Sequence, residues 1–258
     1  MAFTSFPRAR GTAVDTHFVC LARLIVLHLL PGAVGGLLYF AAAPLLIAFG
    51  VPPLLTLLTV VTPVIAVLEL GHLLRSRPPG TRGLSLTGVV DLARGHMSTR
   101  HAALLVLGMV SFCIVALILA SPLDGLLANT LFAWLPAWAI RTDVSQYAEY
   151  GKPILVVTFA LLLVLNGVLL PVIEELYFRG YLLPRLAPLG HAAPWVHAIL
   201  FTLYHFWQPW QYVSVLLFAL PLTFVPWWTG NVRLAMIAHC TINVLGNTLL
   251  AAQILGSA

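Results

Sequence analysis

Seven apolar stretches, at about 18–43, 51–72, 101–120, 153–183, 192–208, 211–228 and 232–255, take up most of this 258-residue chain. About 20 residues of helix cross the roughly 30 Å of hydrocarbon in a bilayer. The stretches therefore predict an all-α fold, a polytopic transmembrane helix bundle of about seven to eight spans. Hydrophobic residues make up 60% of the chain and charged residues only 8%, against about 25% charged in soluble domains, so the chain is an integral membrane protein. The first stretch contains Arg23 and His28 and is longer than the roughly 7–15 apolar residues of a signal peptide. It reads as a retained span.

The formal charge of +5 is a topology signal here and does not predict a nucleic-acid partner. Arg75, Arg77, Arg82, Arg94 and Arg100 crowd one connection, whereas 121–152 sets Asp124, Asp143 and Glu149 against Arg141 and Lys152. Positive residues favour the cytoplasmic side, which places the Arg-rich loop inside with Arg8, Arg10, Arg179, Arg185 and Arg233. The N-terminus is then cytoplasmic, and an odd number of spans leaves the C-terminus outside. Twelve arginines against one lysine suit a GC-rich bacterial genome, hence a bacterial inner membrane.

With no repeat, low-complexity tract or linker, 1–258 is expected to be a single membrane domain, with N-terminal spans in 1–150 and the chemistry in 151–258. The region 121–152 mixes Pro122, Gly125, Trp134, Pro136 and Trp138 with apolar residues, which suits an interfacial helix or a short eighth span. Cys20, Cys113 and Cys240 show no paired spacing and read as small buried hydrophobes.

The chain has eight acidic residues, and two of them, Glu174 and Glu175, are adjacent within an apolar run. A charge there costs about 2.5–3.5 kcal/mol on insertion scales, so a partner or a function must hold it. On a helix Glu175 and Arg179 share a face and can pair, while Glu174 points about 100° away and stays free for a water-filled cavity. In the next span Phe201 and His205 share a face, and in the last His239 and Asn243 do. If the three faces converge, Glu174 with His205 can activate water, and His239 with Asn243 can donate to the oxyanion of a tetrahedral intermediate. Convergence requires the Glu174 helix to run on to Leu183 and the next to start near Pro194. Both Glu174 and His205 then lie about 15 Å deep. Trp207 and Trp210 argue instead for His205 near the outer interface.

The other histidines, His17, His28, His72, His96, His101, His191 and His197, read as structural or interfacial, with His197 the first candidate exception. Asn247 is placed near the same cavity; Phe201 and Tyr204 read as packing.

The stretches EELYFR, FTLYH and HCTIN resemble the E-E-x-x-x-R, F-x-x-x-H and H-x-x-x-N/D motifs of the type II CAAX-protease and bacteriocin-processing (CPBP) family of intramembrane proteases, in the same order and also within membrane spans. The resemblance covers about residues 150–250 and implies a catalytic core at 151–258. It implies an endopeptidase reached from the cytosolic side, with Glu174 as catalytic base, His205, His239 and Asn243 completing the site, and Glu175 and Arg179 supporting it. The partners implied are membrane lipid and a peptide or membrane-protein substrate; the oligomeric state stays open. No HExxH is present, and a metal-bound Glu174 would be lost as a base. The preferred reading therefore requires no cofactor, and Zn2+ held by Glu174, His205 and His239 is the alternative. A non-catalytic scaffold or bacteriocin-immunity-type peptide-binding protein is the second reading. A proton-coupled transporter is the third, disfavoured because no inverted repeat is seen.

Overall fold

The computed structural model describes residues 16–93, 95–140 and 144–257, with side chains from Leu21 to Gly256 within those ranges. Arg8, Arg10, Arg94, Arg141 and Asp143, and the side chains of His17 and Cys20, lie outside the described residues. The helices are α1 (Thr16–Ala48), α2 (Pro53–Arg75), α3 (Thr99–Asn129), α4 (Lys152–Arg185), α5 (Ala193–Tyr204), α6 (Tyr212–Thr229) and α7 (Val232–Ser257). Among the described residues no strand is formed beyond a single bridge, Ala93 to Asn231.

Local chemistry sets several ends. Pro53 opens α2 at a position where a missing N–H costs nothing. The Ser98 hydroxyl accepts from the His101 N–H to cap α3. Gly230, left-handed at φ 65°, closes α6.

Among the described residues six helices are long and apolar enough to cross a membrane; α5 is not one of them. Its 12 residues span about 18 Å at 1.5 Å per residue. The apolar run at 192–208 suggested a full span, but the backbone leaves the helix at His205 (φ −79°, ψ 53°), and Phe206 and Trp207 belong to the following turn. The 121–152 region differs from expectation too. α3 runs straight through Pro122 to Asn129 and is followed by turns and one 3-10 turn, Val144–Tyr147, so the described residues form neither a separate interfacial helix nor an eighth span.

Three π-helical segments interrupt the regular ladder, at Ala66–Leu70 in α2 and at Leu162–Leu169 and Glu175–Leu182 in α4. Such register shifts release carbonyls from the i→i−4 pattern. α1 packs on α2 and α5, α3 on α6 and α7, and α7 on α4. Where α1 meets α5, a Cβ on Gly32 would lie 1.8 Å from the Tyr204 carbonyl oxygen, so only glycine permits that approach. The loop between α2 and α3 folds back: the Val232 N–H donates to Leu92 O (2.9 Å), and Val90 packs where Gly180 has no side chain. Arg75, Arg185 and Arg233 thus share one end of the bundle with this loop. α3 turns Leu104, Leu107, Val115, Ile118 and Leu119 outward, as a lipid-facing helix does.

Candidate active site

Counted from the end that carries Arg185, Ala193 and Val232, Glu174, His205 and Asn243 sit about 17, 18 and 17 Å deep and His239 about 11 Å deep, at 1.5 Å per residue. All four line a single cavity of about 530 Å³. Trp207 and Trp210, read from the sequence as interface markers, are buried packing residues, 7% and 1% exposed. They do not pull His205 outward.

Glu174 is not the unpartnered carboxylate that helical spacing suggested. The Tyr204 hydroxyl donates to its Oε1 (3.2 Å), and His239 Nε2 lies 3.9 Å from its Oε2. Tyr204, taken as packing, therefore touches the site directly. Glu175 pairs with Arg179 as the i, i+4 spacing predicts, 3.1 Å from Oε1 to the guanidinium. The same oxygen also accepts from His239 Nδ1 at 2.9 Å. Arg179 lies over the Phe201 ring, 3.9 Å from its centroid, a cation–π contact strengthened by burial. Arg179, Glu175 and His239 form a chain that orients one imidazole, with Nδ1–H fixed on the carboxylate and Nε2 turned to Glu174.

His205 is brought to the cavity but bonds neither carboxylate. Its Nδ1 lies 2.9 Å from Phe201 O, so that nitrogen carries the proton. In their neutral forms both imidazoles therefore offer Nε2 as an acceptor. The Asn243 amide donates to Asn166 O (3.0 Å), a carbonyl in the first π segment of α4, and one amide N–H remains for a ligand. The donor pairing read from the sequence, His239 with Asn243, is thus rearranged. His239 belongs with Glu174, and Asn243 is the donor that needs no added proton.

Asn247 is held by Asn166 Oδ1 (3.0 Å) and does not line the cavity. His197 binds Phe178 O (3.0 Å) and Thr223 and is structural. Cys113 is buried, Cys240 half-buried, and both are free thiols. Among the described residues no three His, Cys, Asp or Glu side chains form a group able to hold a metal. Glu174, His205 and His239 share the cavity wall without closing into a ligand set.

No motif marks Glu69, although a carboxylate inside the predicted span 51–72 is itself a sign of a partner or a function. It lies in the π segment of α2, fully buried, beside Tyr204, Glu174 and Arg179. Three carboxylates thus surround one guanidinium. A lone glutamate in the apolar run VLELG carries no motif. Only the long-range approach of α2 to α4 reveals what surrounds it.

The rest of the cavity extends away from the Arg-rich end. Leu57 comes from the far end of α2, Ser121 and Asp124 from the far end of α3, and Gln208 and Gln211 from the turn between α5 and α6.

Residues 156–245 match the family model described as Type II CAAX prenyl endopeptidase Rce1-like. The matched segment contains all three motifs. No curated protein and no solved structure matches the chain.

Proposed function

We propose that this integral membrane protein, a member of the Rce1-like type II CAAX prenyl endopeptidase family through residues 156–245, hydrolyses a membrane-proximal peptide bond with Glu174 as general base. The observation that carries the reading is the meeting of Glu174, His205, His239 and Asn243, drawn from two helices and a turn, on the wall of one cavity. A water between Glu174 and His239 Nε2 meets two acceptors. Glu174 takes a proton from it as the oxygen attacks the carbonyl carbon. The remaining N–H of Asn243 receives the oxyanion, joined by His205 when it is protonated. Glu174 then returns its proton to the leaving nitrogen as the C–N bond breaks, giving a carboxylate and an amine. Glu175 and Arg179 keep His239 in the required tautomer. No resident metal enters this scheme, because ligation would remove Glu174 as the base. We place the protein in a bacterial plasma membrane, acting on a peptide or a membrane-protein segment.

General bases contribute about 10²–10⁴-fold. Glu174→Gln should lower turnover of model peptides by that amount in nanodiscs while leaving the thermal midpoint near that of the parent. Turnover should also survive EDTA and 1,10-phenanthroline. Uncut substrates should accumulate equally in the membrane proteomes of a deletion strain and of a Glu174→Gln strain. A Glu174→Gln strain indistinguishable from the parent, beside a defective deletion strain, would replace the peptidase with a peptide-binding scaffold.

A further inference from the structure

The catalytic cluster occupies only one part of the chamber. Beyond it, towards the end opposite the Arg-rich loop, the polar wall is made by Ser121, Asp124, Asn166, Gln208, Gln211 and Ser214. Asp124 is the one ionisable side chain of this group. It is 6% exposed, its Oδ2 accepts from the Ser214 hydroxyl, and its Oδ1 has no hydrogen-bond partner. Among the described residues no lysine or arginine lines the chamber.

An interhelical tie between α3 and α6 accounts for Oδ2 and for Ser214, yet an asparagine or a threonine would supply that tie without a charge. It leaves Oδ1 unexplained. A buried carboxylate in the wall of a chamber that supplies it no lysine or arginine among the described residues is costly unless a ligand brings the complement.

The position is also informative. Ser214 lies one helical turn from Phe218, whose ring packs on His239 with centroids 4.9 Å apart. One turn is about 5.4 Å, and an extended peptide advances about 3.3–3.6 Å per residue. A substrate strand stretched across the site brings a side chain about two to three residues from the scissile bond to Asp124.

We infer that the wall around Asp124 is a substrate subsite that takes a cation, a Lys or Arg side chain or a free amine, on the peptide cut at Glu174. The inference rests on the peptidase reading for its role, though not for its binding chemistry. It also disfavours a peptide whose terminal carboxylate falls in the same place, since that would set two carboxylates together in a poorly solvated chamber.

The test uses N-acetylated, C-amidated fluorescent peptides with a single Lys, norleucine or Glu scanned over the three positions on each side of the cut. Binding is read by anisotropy on Glu174→Gln protein in nanodiscs, and cleavage on the parent protein. At one position Lys should bind about tenfold or more tighter than Glu, about 1.4 kcal/mol. Asp124→Asn should level the three peptides, and Asp124→Lys should reverse their order. Absence of a lysine preference in protein that retains Asp124 overturns the subsite even if every Asp124 variant misfolds. A preference that survives in folded Asp124→Asn overturns it as well. Lysine-selective binding without cleavage by the parent protein sinks the peptidase reading and leaves the subsite standing. Cleavage without selectivity does the reverse.

Discussion

Two residues that carry no motif, Glu69 and Tyr204, decide how the Glu174 carboxylate is held. Tyr204 donates to it directly, and Glu69 is fully buried beside the same hydroxyl. A single neutral hydrogen bond is worth about 0.5–1.5 kcal/mol. Tyr204→Phe should accordingly lower kcat up to about tenfold and leave KM nearly unchanged, a split that loss of packing alone would not produce. Glu69 supports a sharper experiment. A carboxylate held in a dry interior carries a desolvation cost, and Arg179 keeps Glu175 as its ion-pair partner, so Glu69→Leu should melt at or above the parent temperature. If Glu69 helps position Tyr204 and Arg179, the same variant loses activity, and Glu69→Gln, which keeps the shape and the polarity, restores most of it. A Glu69→Leu protein with full activity would reduce the residue to a tolerated burial. At this scale the sequence was informative where spacing carried chemistry: Glu175 with Arg179, and the three motif faces. It was silent where a partner arrives from a distant helix, as Glu69 and Tyr204 do, and it misled on Glu174, whose hydroxyl donor lies 30 residues away.

At the scale of elements, the long apolar runs made the spans legible because hydrocarbon thickness fixes their length. α5 ends earlier than the apolar run because apolar composition does not distinguish helix from a buried turn, and Phe206 and Trp207 are apolar and aromatic in either state. The π segments leave no local mark. Asn166 escaped notice for that reason: its carbonyl becomes available to Asn243 only once the ladder of α4 slips. The packing of α5 on α1 provides the corresponding test. A side chain at Gly32 would strike the Tyr204 backbone, 1.8 Å from its carbonyl oxygen, and one at Gly36 would press on Phe206 Cβ at 3.1 Å. Overpacking costs about 1–3 kcal/mol, so Gly32→Val should lower the melting temperature and, by moving Tyr204, depress turnover beyond what the lost stability explains. Gly36→Ala should be milder. Gly108→Ala in α3, where a Cβ meets nothing within 4 Å, should be neutral or slightly stabilising, since glycine within a helix costs about 0.5–1 kcal/mol relative to alanine.

The whole molecule raises the question of which face admits substrate. The family resemblance implies cytosolic access, and the positive-inside rule puts the loop carrying Arg75, Arg77 and Arg82 on the cytosolic side. Both expectations point to the arginine end of this bundle, and the chamber does not. The site is about equally deep for three of its four residues, yet the chamber's polar wall runs from Glu174 towards Asp124, Gln208 and Gln211, the end away from the arginines. At the arginine end a smaller cavity of about 180 Å³ reaches Arg179 and Gly180, narrowed where Val90 packs against Gly180 and Val232 ties to Leu92. A polar substrate segment avoids hydrocarbon by following the polar wall, so the route expected here starts at the face opposite the Arg-rich loop. Single cysteines at Gln208, Gln211 and Thr81, in a background with Cys20, Cys113 and Cys240 replaced by alanine, should separate the alternatives. In sealed right-side-out vesicles a membrane-impermeant thiol reagent should label Gln208→Cys and Gln211→Cys but spare Thr81→Cys, and inverted vesicles should give the opposite pattern. Bound model peptide should slow labelling at Gln208→Cys and Gln211→Cys alone. If all three positions react from the same face, the chamber shares its side with the arginines and access is cytosolic after all. If the pattern is inverted as a whole, the topology assigned from the arginines is upside down while the separation of chamber and loop stands.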